Sequence, residues 1–304
     1  MDRAPSPEPG DEPPSVATPA SSPAFPPLTP PAIKTLLHTL GLRPQKGFGQ
    51  NFLTNEGILD KIIRAGDIQP DDIVVEVGPG LGHLTRRLAS AAKRVIAVEI
   101  DRGLVRLLRQ THGGMTNVEI VEQDVLQFDP GVAVSGDRYK VIANLPYYIT
   151  SAALRHFLES NSPPSLFIVM VQREVAMRIL APEGDLNLLA ISVRVYGEPR
   201  VVTRVPASAF YPQPTVESAI LKIEVFDRPR IVATTDRFFK VVSAGFATQR
   251  KQLHNSLAQR IWMPPGEAST IIEASGIEPK RRAQTLSIAE WDNLTLELER
   301  RGLV

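Results

Sequence analysis

Short apolar runs alternate with stretches of helical spacing through the middle of the chain. Ile73–Val77 is a β-branched run that stops at Gly78, the pattern of a strand entering a tight turn. His83–Ala92 follows, with Leu84 and Leu88 one helical turn apart. Val95–Val98 predicts a second strand, closed by Glu99 and Asp101, and Leu104, Leu107 and Leu108 mark the next helix. Val118–Val121 gives a third strand ending near Asp124, and Val141–Ala143 a fourth ending at Asn144. Ala152–Glu159 reads as helix and Leu166–Val171 as a fifth strand, apolar throughout and so buried on both faces. Ala190–Val195 and Ala219–Val225 read as two more. Strands separated by helices predict an α/β fold, a mostly parallel seven-stranded sheet with helices on both faces. Beyond about Val225 only helices are expected: Asp236–Gly245, Gln252–Ile261, Glu267–Ser275 and Ile288–Arg300.

Composition changes the picture mainly at the N-terminus. Residues 1–31 carry 11 of the 27 prolines, a single basic residue (Arg3) and four acidic ones. With so little apolar surface to offset the entropy of ordering, they read as a disordered tail. The expected layout is a Pro-rich tail over 1–32, a ligand-binding domain over 33–226 and a small helical domain over 227–304. Deleting the tail is expected to leave folding nearly unchanged. The absence of cysteine excludes disulfides, a thiol nucleophile and cysteine-ligated zinc. The five histidines are scattered, so no metal site is expected. The longest apolar run has six residues, far short of the roughly 20 that span a bilayer. A cytoplasmic, monomeric protein is expected.

In parallel α/β sheets ligands sit at the carboxyl ends of the strands. Gly78, Glu99, Asp124 and Asn144 all fall at predicted strand ends, which makes them the candidate site. The turn Gly78-Pro79-Gly80-Leu81-Gly82 lets backbone approach a ligand closely. Glu99 lies 21 residues after Gly78, where a carboxylate can accept from both hydroxyls of a ribose. NAD and S-adenosylmethionine both satisfy that much. Pro79 favours the second, because it removes a backbone N–H that a pyrophosphate would use. Asp124 is placed either to read an adenine amine or simply to cap a turn.

Asn144-Leu145-Pro146-Tyr147 has a direct chemical reading. The exocyclic amine of adenine is a weak nucleophile because its lone pair is delocalised into the ring. The Asn144 amide oxygen and the Leu145 carbonyl can each accept one of its N–H bonds and favour a pyramidal nitrogen. Tyr147 offers a face on which an unstacked base can lie, worth roughly 1–3 kcal/mol per base.

These motifs, with Lys46-Gly47-Phe48-Gly49-Gln50-Asn51-Phe52-Leu53 and Ser208-Ala209-Phe210 through Pro214-Thr215-Val216-Glu217-Ser218, resemble the ribosomal RNA adenine dimethyltransferases. The resemblance covers residues 33–304 and is greatest to the bacterial small-subunit branch. It implies a Rossmann-like, S-adenosylmethionine-dependent methyltransferase domain followed by a small helical domain. It implies that Asn51 and Leu53 close over the cofactor, that Gly78 lines it, that Glu99 holds the ribose and Asp124 the adenine. Asn144 is then the catalytic amide, with Tyr147 and Phe210 on the two faces of the target base. The implied substrate is a pair of neighbouring adenosines near the 3′ end of small-subunit rRNA, each methylated twice. A large-subunit rRNA dimethylase, a DNA adenine methylase and a non-catalytic assembly factor are the rival readings.

The chain departs from the branch's usual pattern at Asn187-Leu188-Leu189-Ala190, at His254, where arginine is usual, and at Gln284, where glutamate is usual. Residues 200–304 hold 15 Lys and Arg against 11 Asp and Glu. Their clusters, Arg250-Lys251 beside His254 and Lys280-Arg281-Arg282, are the candidate RNA contacts or else solvated helix ends. Arg250 and Lys251 open a predicted helix, where positive charge opposes the dipole and a phosphate partner would reverse the sign.

Overall fold

A computed structural model describes residues 27–45, 49–248 and 250–304. The helices are α1 (Pro30–Thr39), α2 (Glu56–Gly66), α3 (His83–Ala89), α4 (Arg102–His112), α5 (Pro130–Ala133), α6 (Thr150–Leu158), α7 (Arg173–Ile179), α8 (Leu188–Arg194), α9 (Thr235–Phe246), α10 (Leu253–Ile261), α11 (Pro265–Ala274) and α12 (Ile288–Arg300). The strands are β1 (Phe52–Leu53), β2 (Ile73–Val77), β3 (Arg94–Glu99), β4 (Val118–Glu122), β5 (Tyr139–Asn144), β6 (Leu166–Gln172), β7 (Gly197–Val205), β8 (Phe210–Tyr211) and β9 (Ser218–Val225).

Seven strands form one sheet in the order β4-β3-β2-β5-β6-β9-β7, and β1 pairs with β8 in a separate ribbon. The five strands β4, β3, β2, β5 and β6 run parallel. β9 is antiparallel to both β6 and β7. Alternate residues feed the two faces, as the period of a strand requires. Val75 and Val77 enter one buried cluster, with Val141, Ala143, α6 and α8. Val74, Val95 and Ile142 enter the other, with α1, α2 and α3. The first cluster continues without a break into α9–α12, through Phe238, Leu253 and Trp291. Tyr196 stacks on Phe239 at 6.1 Å, and Phe246 meets Trp291 at 5.8 Å.

The seven-stranded sheet stands, but one expected strand is wrong. Residues 190–195 fall within and just after helix α8, and the seventh strand is β7. Asn187 starts the helix by accepting from the Ala190 N–H at 3.0 Å. Leu189–Val193 is buried all round, so no polar face betrays a helical period. β7 lies at the sheet edge, carries Pro199 and is broken up by Glu198, Arg200, Thr203 and Arg204, which hides it as a strand.

The expected tail boundary at residue 32 is also too late. Most of residues 1–32 lies outside the described residues, but Leu28 is buried at 7% exposure and Thr29 caps α1 by accepting from the Ala32 N–H. Pro30 and Pro31 occupy the first turn, where a missing N–H costs nothing. Deleting residues 1–31 is therefore expected to destabilise the fold by about 2–4 kcal/mol, the sum of a buried leucine and a lost cap. Thermal melting against a chain beginning at Pro27 measures it, and equal melting temperatures would refute it.

Candidate active site

The parallel order places four strand ends side by side in the sequence β4, β3, β2, β5. Asp124, Glu99, Gly78 and Asn144 stand at those ends in that order, spread over about 14 Å at the usual strand spacing. Together they line a cavity of about 250 Å³, with Asn51, Leu53, Leu145 and Tyr147 also in its wall. Eight of the nine candidate site residues thus converge on one cleft. Phe210 does not: it is 3% exposed, and it pairs with Leu53 across the β1–β8 ribbon instead of facing the cavity.

The glycine turn is shaped by its surroundings. Gly78 takes φ 68° and its N–H donates to the Val98 carbonyl at 3.0 Å, while a Cβ there would sit 3.3 Å from the Asn144 carbonyl oxygen. At Gly82 (φ 84°) a Cβ would stand 2.3 Å from the buried His112 ring. The turn is thereby pressed between the β5 end and α4, leaving its outer side to the cavity.

Glu99 is 6% exposed. One carboxylate oxygen accepts from the Ile100 and Asp101 N–H groups, both at 3.0 Å, and the other from Gly80 at 3.2 Å. Burial nevertheless pushes its carboxyl up to about 7. Asp124 caps the turn at Val125–Gln127, one oxygen accepting from Leu126 at 3.0 Å, and it also lies in the cavity wall.

At the β5 end the Asn144 amide nitrogen donates to the Asn51 carbonyl at 3.3 Å. That bond fixes which end of the amide is the nitrogen, so the oxygen is left for a donor in the cleft. The Tyr147 hydroxyl is tied to Ser218 Oγ at 2.9 Å, which sets the plane of its ring. Residues 49–53 cross above this end, and Gly49 approaches Pro146 and Tyr148.

Two cavity residues were not singled out from the sequence. Glu76 sits in β2 at 1% exposure, and its Oε2 has no hydrogen-bond partner. Burial pushes its carboxyl up to about 8, and the Glu99 charge adds to the rise. An acid inside the otherwise apolar run Ile73–Val77 was the available signal. Tyr148 is 60% exposed at the rim, and burial together with the Asp124 and Glu99 charges raises its phenol. Among the described residues no group of three His, Cys, Asp or Glu side chains is arranged to hold a metal, and no helix is long and apolar enough to cross a membrane.

The profile of the ribosomal RNA adenine dimethylase family matches residues 41–299. The chain belongs to this family. The dimethylase is 46% identical over 265 residues to ribosomal RNA small subunit methyltransferase A of Dehalococcoides mccartyi, covering 86% of this chain and 91% of that protein. It is 43% identical to the protein of the same name from Moorella thermoacetica, covering 87% and 96%. Among solved structures it resembles a dimethyladenosine transferase from Plasmodium falciparum, with a TM-score of 0.73 and 27% identity over 83% of this chain and 98% of that one. It also resembles the 23S rRNA methyltransferase ErmE, with a TM-score of 0.65 and 26% identity over 82% and 100%. Dimethylases of this family use S-adenosylmethionine.

The departures from the family pattern have structural uses. His254 Nδ1 bonds the Pro279 carbonyl at 2.9 Å, Gln284 donates to Asp185 at 2.9 Å, and Asn187 is the cap of α8. None lines the cavity.

Proposed function

We propose that this dimethylase transfers methyl groups to N6 of two adjacent adenosines near the 3′ end of small-subunit rRNA, giving N6,N6-dimethyladenosine. The observation that carries the reading is the row Asp124, Glu99, Gly78, Asn144 on four neighbouring strand ends, in a chain whose relatives are named for the small subunit.

The cavity fits S-adenosylmethionine on an observation of its own. Glu76 Oε2 is buried without a hydrogen bond, and the cationic amine of the cofactor would supply a donor. Asp124 would take the adenine, Glu99 the ribose hydroxyls, and Gly78 with Asn51 and Leu53 the rest of the ligand. When bound, the cofactor supplies an electrophilic methyl group. The protein's part is to prepare the amine: Asn144 Oδ1 and the Leu145 carbonyl accept its two N–H bonds, and the lone pair is turned toward the donor. Tyr147 supports the base, which must leave its stack to enter. Phe210 is packed in the apolar cluster with α1 and α2, so it would serve the second face only if its ring left that packing.

The RNA grip is assigned to Arg250, Lys251, Lys280 and Arg282, all exposed. Arg281 is withdrawn from that set: its guanidinium donates to Thr285 Oγ1 and to Glu290 Oε2, each at 3.2 Å. Arg250 and Lys251 stand just before α10, whose first N–H groups favour an anion. Changing both to Gln is expected to weaken binding to small-subunit RNA and to flatten its salt dependence by up to about two contacts. S-adenosylmethionine affinity stays unchanged. Filter binding over a salt series decides, and an unchanged slope returns these residues to the solvated surface.

Methyl transfer from labelled cofactor to immature small subunits, large-subunit RNA and duplex DNA tests the function as a whole. Small subunits are the expected acceptor, and labelling of either other substrate instead would replace the reading.

A further inference from the structure

The segment before β1 reaches Asp101 by two glutamines. Gln45 Nε2 and Gln50 Nε2 both donate to Asp101 Oδ2 at 2.9 Å, and the Gln45 N–H donates to Gln50 Oε1 at 2.8 Å. The other oxygen, Asp101 Oδ1, caps α4 by accepting from Gly103 at 2.8 Å and Leu104 at 3.2 Å. A carboxylate offers about four lone-pair sites, and here four donors fill them. Asp101 is 7% exposed, so lifting the glutamines would leave Oδ2 buried without donors. Leu42 seats the same segment on the same helix start, because a Cβ on Gly103 would meet Leu42 Cδ2 at 2.4 Å.

Two further bonds carry this anchorage into the site. The Asp101 N–H donates to Glu99 Oε1, the carboxylate of the cofactor strand. Residues 49–53 then run over the cavity, and the Asn51 carbonyl receives the Asn144 amide. The segment is thus pinned at the β3 end by Asp101 and at the β5 end by Asn144, with the cavity between.

We propose that Asp101, Gln45 and Gln50 form a latch that holds residues 49–53 down over the cofactor and, through Asn51, keeps the catalytic amide turned with its oxygen to the substrate. Asp101 and Gln50 are positioning residues. The latch rests on the reading of this cavity as an S-adenosylmethionine site. Its buried acceptor makes release of a spent cofactor cost two hydrogen bonds, and dimethylation of two adenosines requires the cavity to be refilled between transfers.

The test measures dissociation of S-adenosylhomocysteine by stopped flow, and its affinity by calorimetry, in the full chain. Gln50→Ala is expected to speed dissociation about tenfold with association little changed, and to lower kcat more than it raises KM for RNA. Gln45→Ala with Gln50→Ala does more. Asp101→Asn should add almost nothing to that double variant, because the partners it would disturb are gone. The glutamine variants leave the α4 cap in place, so they should stay folded, with melting temperatures lowered only by the loss of the Oδ2 donors. Dissociation unchanged in the glutamine variants, or losses from Asp101→Asn that simply add to theirs, would overturn the latch. Failure of the parent protein to bind the cofactor product at all would instead overturn the reading of the cavity.

Discussion

Replacing Asn144 by alanine lowers the rate of methyl transfer by about 10²–10³-fold, the scale on which a single pre-organised polar contact to a reacting group acts, and leaves cofactor affinity within a few-fold of the parent. The amide nitrogen is already committed to the Asn51 carbonyl, so the oxygen is held at the β5 end before any base arrives. Its acceptor role is needed when the amine rehybridises, and an alanine leaves that N–H without a partner. Asn144→Asp keeps an acceptor but loses the donor to Asn51, and it should also fall well below the parent. Single-turnover transfer with saturating cofactor separates this from binding. A variant that fails in calorimetry but transfers normally at saturation would reverse the assignment.

Glu99→Ala acts on the other half of the reaction. Ribose hydroxyls lose a charged acceptor, and the Gly80, Ile100 and Asp101 N–H groups lose theirs, so binding is expected to weaken by about 1–3 kcal/mol, roughly five- to 150-fold. The same carboxyl gives the parent a pH signature. With its folded pKa pushed up to about 7, above the unfolded value, Glu99 holds a proton in the fold that the unfolded chain has released. Its contribution to stability is full below the unfolded value near 4.5 and is lost as pH rises to about 7. Glu76 extends the loss to about 8. A ligand that donates to these acids favours their charged forms, so it binds more tightly as pH rises from 6 to 8 and releases protons. Calorimetry in buffers of different ionisation enthalpy reads the protons directly. Glu99→Ala should flatten the lower part of that profile, and a profile identical to the parent's would remove Glu99 from the ligand.

The strand ends were legible because an alternating α/β pattern fixes where ligands bind, and Gly78, Glu99, Asp124 and Asn144 interrupt apolar runs at those places. Leu188–Arg194 was not legible as a helix, since burial on every side erases its period. Glu76 opens the glycine motif but reads as one polar residue in a strand; its missing partner is a property of the folded interior. The Asp101 anchorage joins residues more than fifty positions apart, and no local pattern encodes it. Phe210 shows the opposite failure: the motif points to the residue, while the folded interior packs its ring into the apolar cluster with α1 and α2.

The apolar cluster that passes from the sheet into α9–α12 makes the helical region and the cavity one solid piece. The cations Arg250 and Lys251, proposed above to grip phosphates, would then stand at a fixed span from Asn144. A body of that kind would work as a fixed gauge: with one end on the RNA backbone, whichever base lies at the set distance would be offered to the cleft. Selection of an adenosine would then depend on the folded shape of the RNA between the two ends, and lengthening that RNA by a nucleotide would shift the mark to a neighbouring base.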